Sequence, residues 1–205
     1  MVLRRGWVVI SGSPPLAIIA AGWLVFVLYA YPGYMDAESL DQLMDSRVGE
    51  ITDWHSATMT QLWRVLGTFV AGPFPMLAVQ STLLLGGAYA LLRRVLAPRR
   101  AAVVACTLLL APPVMAVMAV IWRDSQLAGF LLAGTALTWT HRRGLQLAGL
   151  ALFVLGCAMR EAAALAALPL LVTGFAWQGW VGWRRYAAAL VAWVLVAIVG
   201  RGLEH

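Results

Sequence analysis

A polytopic bundle of about seven transmembrane α-helices, with two interfacial helices in its first external loop, is the all-α fold class this sequence predicts. Three observations predict it. Of the 205 residues 62% are hydrophobic and only 12% charged, whereas soluble domains run near about 45–50% and about 25%. Several apolar stretches approach or exceed the roughly 17–25 residues that cross a bilayer as a helix, and none shows the strict alternation of a membrane β-strand. The charges then segregate by side. Together these exclude a soluble fold, a disulfide scaffold and a nucleic-acid module.

The first span covers about 14–31, behind Arg4 and Arg5. It resembles a signal peptide, yet Tyr31-Pro32-Gly33-Tyr34 follows it instead of a small-residue cleavage site, so it reads as a retained helix. Further apolar stretches cover about 76–92, 101–122, 125–140, 145–160, 161–177 and 186–203, which gives seven crossings and one membrane domain over 1–205. The first external loop spans about 32–75. Within it, residues 58–71 repeat Met59, Leu62, Trp63, Leu66 and Val70 on one face, with Thr58, Thr60, Gln61, Arg64 and Thr68 on the other, the pattern of a helix lying in the interface. Residues 36–45 form a second such helix, with Ala37, Leu40, Leu43 and Met44 on one face and Asp41 and Asp45 a turn apart on another.

Seven crossings place Arg4, Arg5, Arg93, Arg94, Arg99, Arg100, Arg142, Arg143, Arg184 and Arg185, ten of the fifteen arginines, on one side. Positive residues mark the cytoplasmic side. The nine acids fall on or near the other, and an eighth crossing at 58–71 would scramble this order. All basic residues are Arg, with no Lys, a usage that fits a GC-rich bacterial genome, while the charge order puts the N-terminus on the cytoplasmic side, as expected of a bacterial inner-membrane protein. Trp7, Trp122, Trp139, Trp177, Trp180 and Trp183 sit at span ends as an aromatic belt. Cys106 and Cys157 lie inside apolar stretches and read as small buried hydrophobes.

Six of the nine acids lie between Asp36 and Asp53. Asp41, Asp45, Glu50 and Asp53 read first as solvated charge that keeps the loop external. Asp36 stands apart, because it follows a Pro-Gly break at the mouth of the first span, where a carboxylate faces a cavity at the membrane surface. Arg123-Asp124 and Arg160-Glu161 occupy very short external turns, and each pair reads either as a turn cap with a snorkelling Arg or as part of an anion and proton-transfer site. Arg suits phosphate because its planar fork donates two hydrogen bonds. His55, alone and with no partner His or Cys motif, is poor evidence for zinc. No metal site is assigned, although carboxylates and phosphates together can recruit Mg or Mn.

At these residues the chain resembles bacterial membrane glycosyltransferases of the GT-C superfamily, the group that includes protein O-mannosyltransferases and lipid A aminoarabinose transferases. The resemblance lies in Tyr31-Pro32-Gly33, Asp36-Ala-Glu-Ser with Gln42, Asp53-Trp54-His55, Trp122-Arg123-Asp124 and Met159-Arg160-Glu161. Ser56 stands where related proteins carry Pro, and Arg123 where they carry Lys. What the resemblance implies is a seven-helix module that takes a polyprenyl-phosphate sugar as donor. Asp36 would be the general base, Arg123 and Arg160 would hold the departing phosphate, and Glu38, Asp41, His55, Asp124 and Glu161 would support them. No cofactor is required, the acceptor is unassigned, and no nucleic acid takes part. The competing expectations are a lipid-linked-sugar binder or small transporter with no enzymatic activity, or a structural subunit of an envelope complex.

Overall fold

A computed structural model describes residues 14–49, 56–160, 162–177 and 182–204. It is all helical: among the described residues there are ten α-helices and no strand. They are α1 Pro15–Ala30, α2 Ala37–Val48, α3 Ala57–Gly67, α4 Phe74–Leu92, α5 Pro98–Leu110, α6 Pro112–Ala119, α7 Arg123–Thr138, α8 Arg143–Met159, α9 Ala163–Trp177 and α10 Trp183–Glu204. Prolines at the first positions of α1, α4, α5 and α6 set several of these starts, since their fixed φ suits a first turn that has no partner for the N–H anyway.

The expected count of seven spans is corrected. Among the described residues only Phe74–Leu92 and Trp183–Leu203 are long and apolar enough to cross a membrane, and α5 with α6 makes a third if a pair bent by 67° is one span. The reasons are physical. The 101–122 stretch breaks at Ala111, because the residue before a proline is pushed out of the helical region; Ala111 has ψ 131° and ends α5 while opening α6. The stretches at 14–31, 125–140, 145–160 and 161–177 yield helices of 16, 16, 17 and 15 residues. At about 1.5 Å per residue these reach about 22–26 Å, short of a hydrocarbon core of about 30 Å.

The helices form a row in which α1 packs on α5, α5 on α4, α4 on α7, α7 on α8, α8 on α10 and α10 on α9. One apolar cluster, with Phe26, Leu77, Leu85 and Leu109 at its centre, joins α1, α4, α5 and α6. A second, built on Phe153, Ala167, Leu171 and Val196, joins α8, α9 and α10. A third lies under the two loop helices, where Leu43, Met59 and Trp63 meet Met76 and Ile121. The expected polar face of the 58–71 helix is also corrected. The helix stops at Gly67, and Thr58 and Thr60 are buried, because α3 is held on both sides: the Ser56 hydroxyl donates to the Ala158 carbonyl and the Thr58 hydroxyl to that of Leu203.

Candidate functional site at one end of the bundle

The site begins where α1 ends. Gly33 has φ +116° and its amide donates to the Ala30 carbonyl at 2.7 Å. A side chain there would meet more than backbone strain, since a Cβ would fall 2.6 Å from the Ile121 side chain. The turn sends Tyr34 alongside 119–121: its amide donates to Ala119 at 2.9 Å, and its carbonyl accepts from the Ile121 amide at 2.9 Å. This two-bond bridge carries the first loop across to the segment between α6 and α7. It places Asp36 beside Trp122.

Asp36 is the N-cap of α2. Its Oδ1 accepts from the Ser39 amide at 2.8 Å and lies 2.6 Å from the Ser39 hydroxyl. That hydroxyl also lies 2.5 Å from the Ile121 carbonyl, so its one proton is shared between two acceptors. Oδ2 accepts from the Trp122 indole at 2.7 Å. Burial of the carboxylate raises its pKa, but the hydrogen bonds from Ser39 and Trp122 to the anion outweigh burial and leave the value below the ordinary 3.8.

The next residues along both segments pair by charge. Arg123 lies 2.5 Å from Glu38, and Arg160, which ends α8, pairs with Asp124 in the first turn of α7. Asp124 is well placed there, because a helix N-terminus favours negative charge. All four side chains are roughly 40–50% exposed, and such ion pairs contribute only about 0–1 kcal/mol. Exchanging a carboxylate for another anion therefore costs the fold little.

Under this surface a buried amide ladder fixes the hairpin that carries Trp122 and Arg123. Gln80 donates to the Met118 and Val120 carbonyls at 2.6 and 3.1 Å, and Gln126 donates to Met76 and to the Gln80 side chain at 3.1 and 2.9 Å. The two Gln80 bonds satisfy carbonyls left over at the end of α6.

Of the residues expected from sequence, Asp36, Glu38, Arg123, Asp124 and Arg160 thus join one connected cluster. Asp41 is exposed on the outer side of α2, and His55 and Glu161 lie outside the described residues. Arg123-Asp124 is the start of α7 instead of a bare hairpin. Ser39 and Trp122 fall in the motifs that carry the resemblance, but the sequence assigns neither a role at the site, and Trp122 reads as part of an aromatic belt. An Asp followed by Ser three residues later, ahead of apolar positions, is a capping signal that marks Ser39. A Trp at a helix end carries no such mark. Among the described residues no group of three His, Cys, Asp or Glu could hold a metal ion. Compared with family models, curated proteins and solved structures, the chain finds no match in any of the three.

Proposed function

We propose that this chain is a membrane glycosyltransferase of the GT-C type, acting on a polyprenyl-phosphate sugar at the external face of a bacterial inner membrane. The observation that supports this reading is the convergence of Asp36, Glu38, Arg123, Asp124 and Arg160, from three distant parts of the chain, on one end of the bundle. Asp36 takes the proton of the acceptor hydroxyl as that oxygen attacks the anomeric carbon. The bond between that carbon and the phosphate oxygen breaks with its electron pair, and configuration inverts. Arg123 and Arg160 receive the departing phosphate, each turning from its carboxylate partner at little cost to stability. Phosphate is a good leaving group, so base placement and charge stabilisation are the main requirements. No metal is needed in this scheme, and Mg or Mn would bind only through the donor phosphate and the nearby carboxylates.

One observation favours the binding-only reading. Both oxygens of Asp36 already accept hydrogen bonds, and a base of lowered pKa has less drive to take a proton. The two readings part on Asp36→Asn. In sugar transfer from a polyprenyl-phosphate donor by the purified protein, the enzyme reading expects transfer to vanish while donor binding stays within about threefold of the unmodified protein. Donor binding by both forms, with no transfer by either, would leave a binder. Arg160→Ala is expected to weaken donor binding, and unchanged affinity for a polyprenyl-phosphate analogue would make Arg160 a turn cap only.

A further inference from the structure

The far end of the molecule carries a second feature. Thr58 ties the C-terminal end of α10 to the site end, so the start of α10, with Trp183, Arg184 and Arg185, lies at the opposite end. Arg94 is there too, donating to the Trp139 and Ala136 carbonyls at 3.1 and 3.2 Å, as are Arg142 and Arg143 at the start of α8. From this end a groove of about 610 Å³ runs along α10 against α8 and α9. Its floor is low because Ala188 and Ala192 are small, its walls are Leu150 and Phe175, and Trp183 and Arg184 stand at its mouth. It extends to Val199, about 24 Å along the helix at about 1.5 Å per residue. Only 17% of the span Trp183–Leu203 is buried within the chain.

We propose that this groove holds one anionic phospholipid, with an acyl chain along Ala188 and Ala192 and the phosphate at Arg184. Charge complementarity selects this occupant. Two consecutive arginines stand in the first turn of α10, where backbone N–H groups and the helix dipole also favour an anion. The groove beyond them offers an acyl chain continuous apolar contact. A second copy of the chain fits less well: inserted in the same orientation it would bring arginine ends together, and among the described residues the acids Asp36, Glu38, Asp41, Asp45 and Asp124 belong to the other end. The proposal does not rest on sugar transfer, and its readout is lipid retention, so either reading can fail alone.

The test is native mass spectrometry of the purified full chain released from nanodiscs of dioleoylphosphatidylglycerol or dioleoylphosphatidylcholine. The expected result is one retained phosphatidylglycerol, with retention cut about fivefold by Arg184→Ala, as one lost arginine near an anionic surface implies. Ala188→Leu, which fills the groove without touching charge, is expected to abolish retention, and Arg100→Ala to leave it unchanged. Ala192→Leu serves where Ala188→Leu does not fold by circular dichroism. Equal retention of the two lipids overturns the proposal, and so does retention that the groove-filling variants leave intact. A disulfide-linked dimer formed through Ala188→Cys in place of lipid retention assigns the groove to a second copy and also overturns it.

Discussion

Asp36 serves as the N-cap of α2 and as the acceptor of an indole N–H from another part of the chain, and the two bonds can be separated by mutation. Asparagine keeps a cap oxygen for the Ser39 amide, while alanine removes both bonds. Asp36→Ala is therefore expected to lower stability by about 1 kcal/mol for the lost cap and more for the lost bond to Trp122, and Asp36→Asn to fall between it and the unmodified protein in thermal unfolding. The pH dependence has a definite sign. The folded pKa lies below the ordinary 3.8, so the stabilising contribution is complete above that value and is lost as pH falls through the lower, folded value. Unfolding temperature should be flat in this respect between about pH 5 and 8 and fall below about pH 4. Trp122→Phe removes one donor to the anion and brings the folded pKa closer to the ordinary value, so the acid loss should be smaller and end at higher pH. An unchanged acid limb in that variant would mean that Ser39 alone holds the carboxylate ionised.

Between helices, α7 and α8 approach each other backbone to backbone. A Cβ on Gly149 would stand 2.8 Å from the Gly134 carbonyl and 2.9 Å from the Thr138 amide nitrogen, both of them backbone atoms that cannot rotate away. Small residues of this kind let helices pack backbone to backbone where apolar burial gives no net drive. Gly149→Leu should therefore separate α7 from α8 and cost about 1–3 kcal/mol as an overpacking change. Gly86→Ala on α4, where a Cβ meets nothing within 4 Å, should leave the unfolding temperature unchanged or raise it, through helix propensity. Loss of stability in both would assign the effect to glycine flexibility and not to the close approach. These contacts also show what the sequence could and could not disclose. Helix positions were legible because apolar runs and prolines act locally: Pro15 and Pro98 each start a helix near an expected boundary. Their competence as full spans was overcounted because hydropathy does not register the break at Ala111 or the short reach of α1, α7, α8 and α9. The burial of Thr58 depends on the carbonyl of Leu203, which is distant in the chain, so no local pattern encodes it. Asp36, Arg123 and Arg160 were legible because charge at the end of an apolar segment stands out in any such sequence, whereas the bond from Trp122 depends on the Tyr34 bridge.

At the scale of the molecule the decisive feature is polarity from end to end, with Asp36, Glu38, Asp41, Asp45 and Asp124 at one end and Arg93, Arg94, Arg142, Arg143, Arg184 and Arg185 at the other. This arrangement requires that α3 does not cross the bilayer, since one more crossing between Asp41 and Val95 would put both on the same side. Its geometry agrees. Eleven residues reach about 16 Å, about half of a hydrocarbon core of about 30 Å, and α3 is anchored laterally through Ser56 and Thr58 instead of standing alone in lipid. The helices of 15–17 residues are short as well, and α7 and α8 lie packed between the longer α4 and α10. Labelling single cysteines with a membrane-impermeant maleimide in intact cells reads this directly. Asp41→Cys, exposed on α2, should react without permeabilisation, and Val95→Cys, 76% exposed just beyond α4, only after it. The native Cys106 and Cys157 are buried and give little background. Reaction of Val95→Cys in intact cells, with Asp41→Cys reacting only after permeabilisation, would place the arginine end outside. That would remove the anionic cytoplasmic leaflet from reach of Arg184 and the sugar donor's external leaflet from Asp36, since the two ends of α10 are fixed about 33 Å apart by its 22 residues.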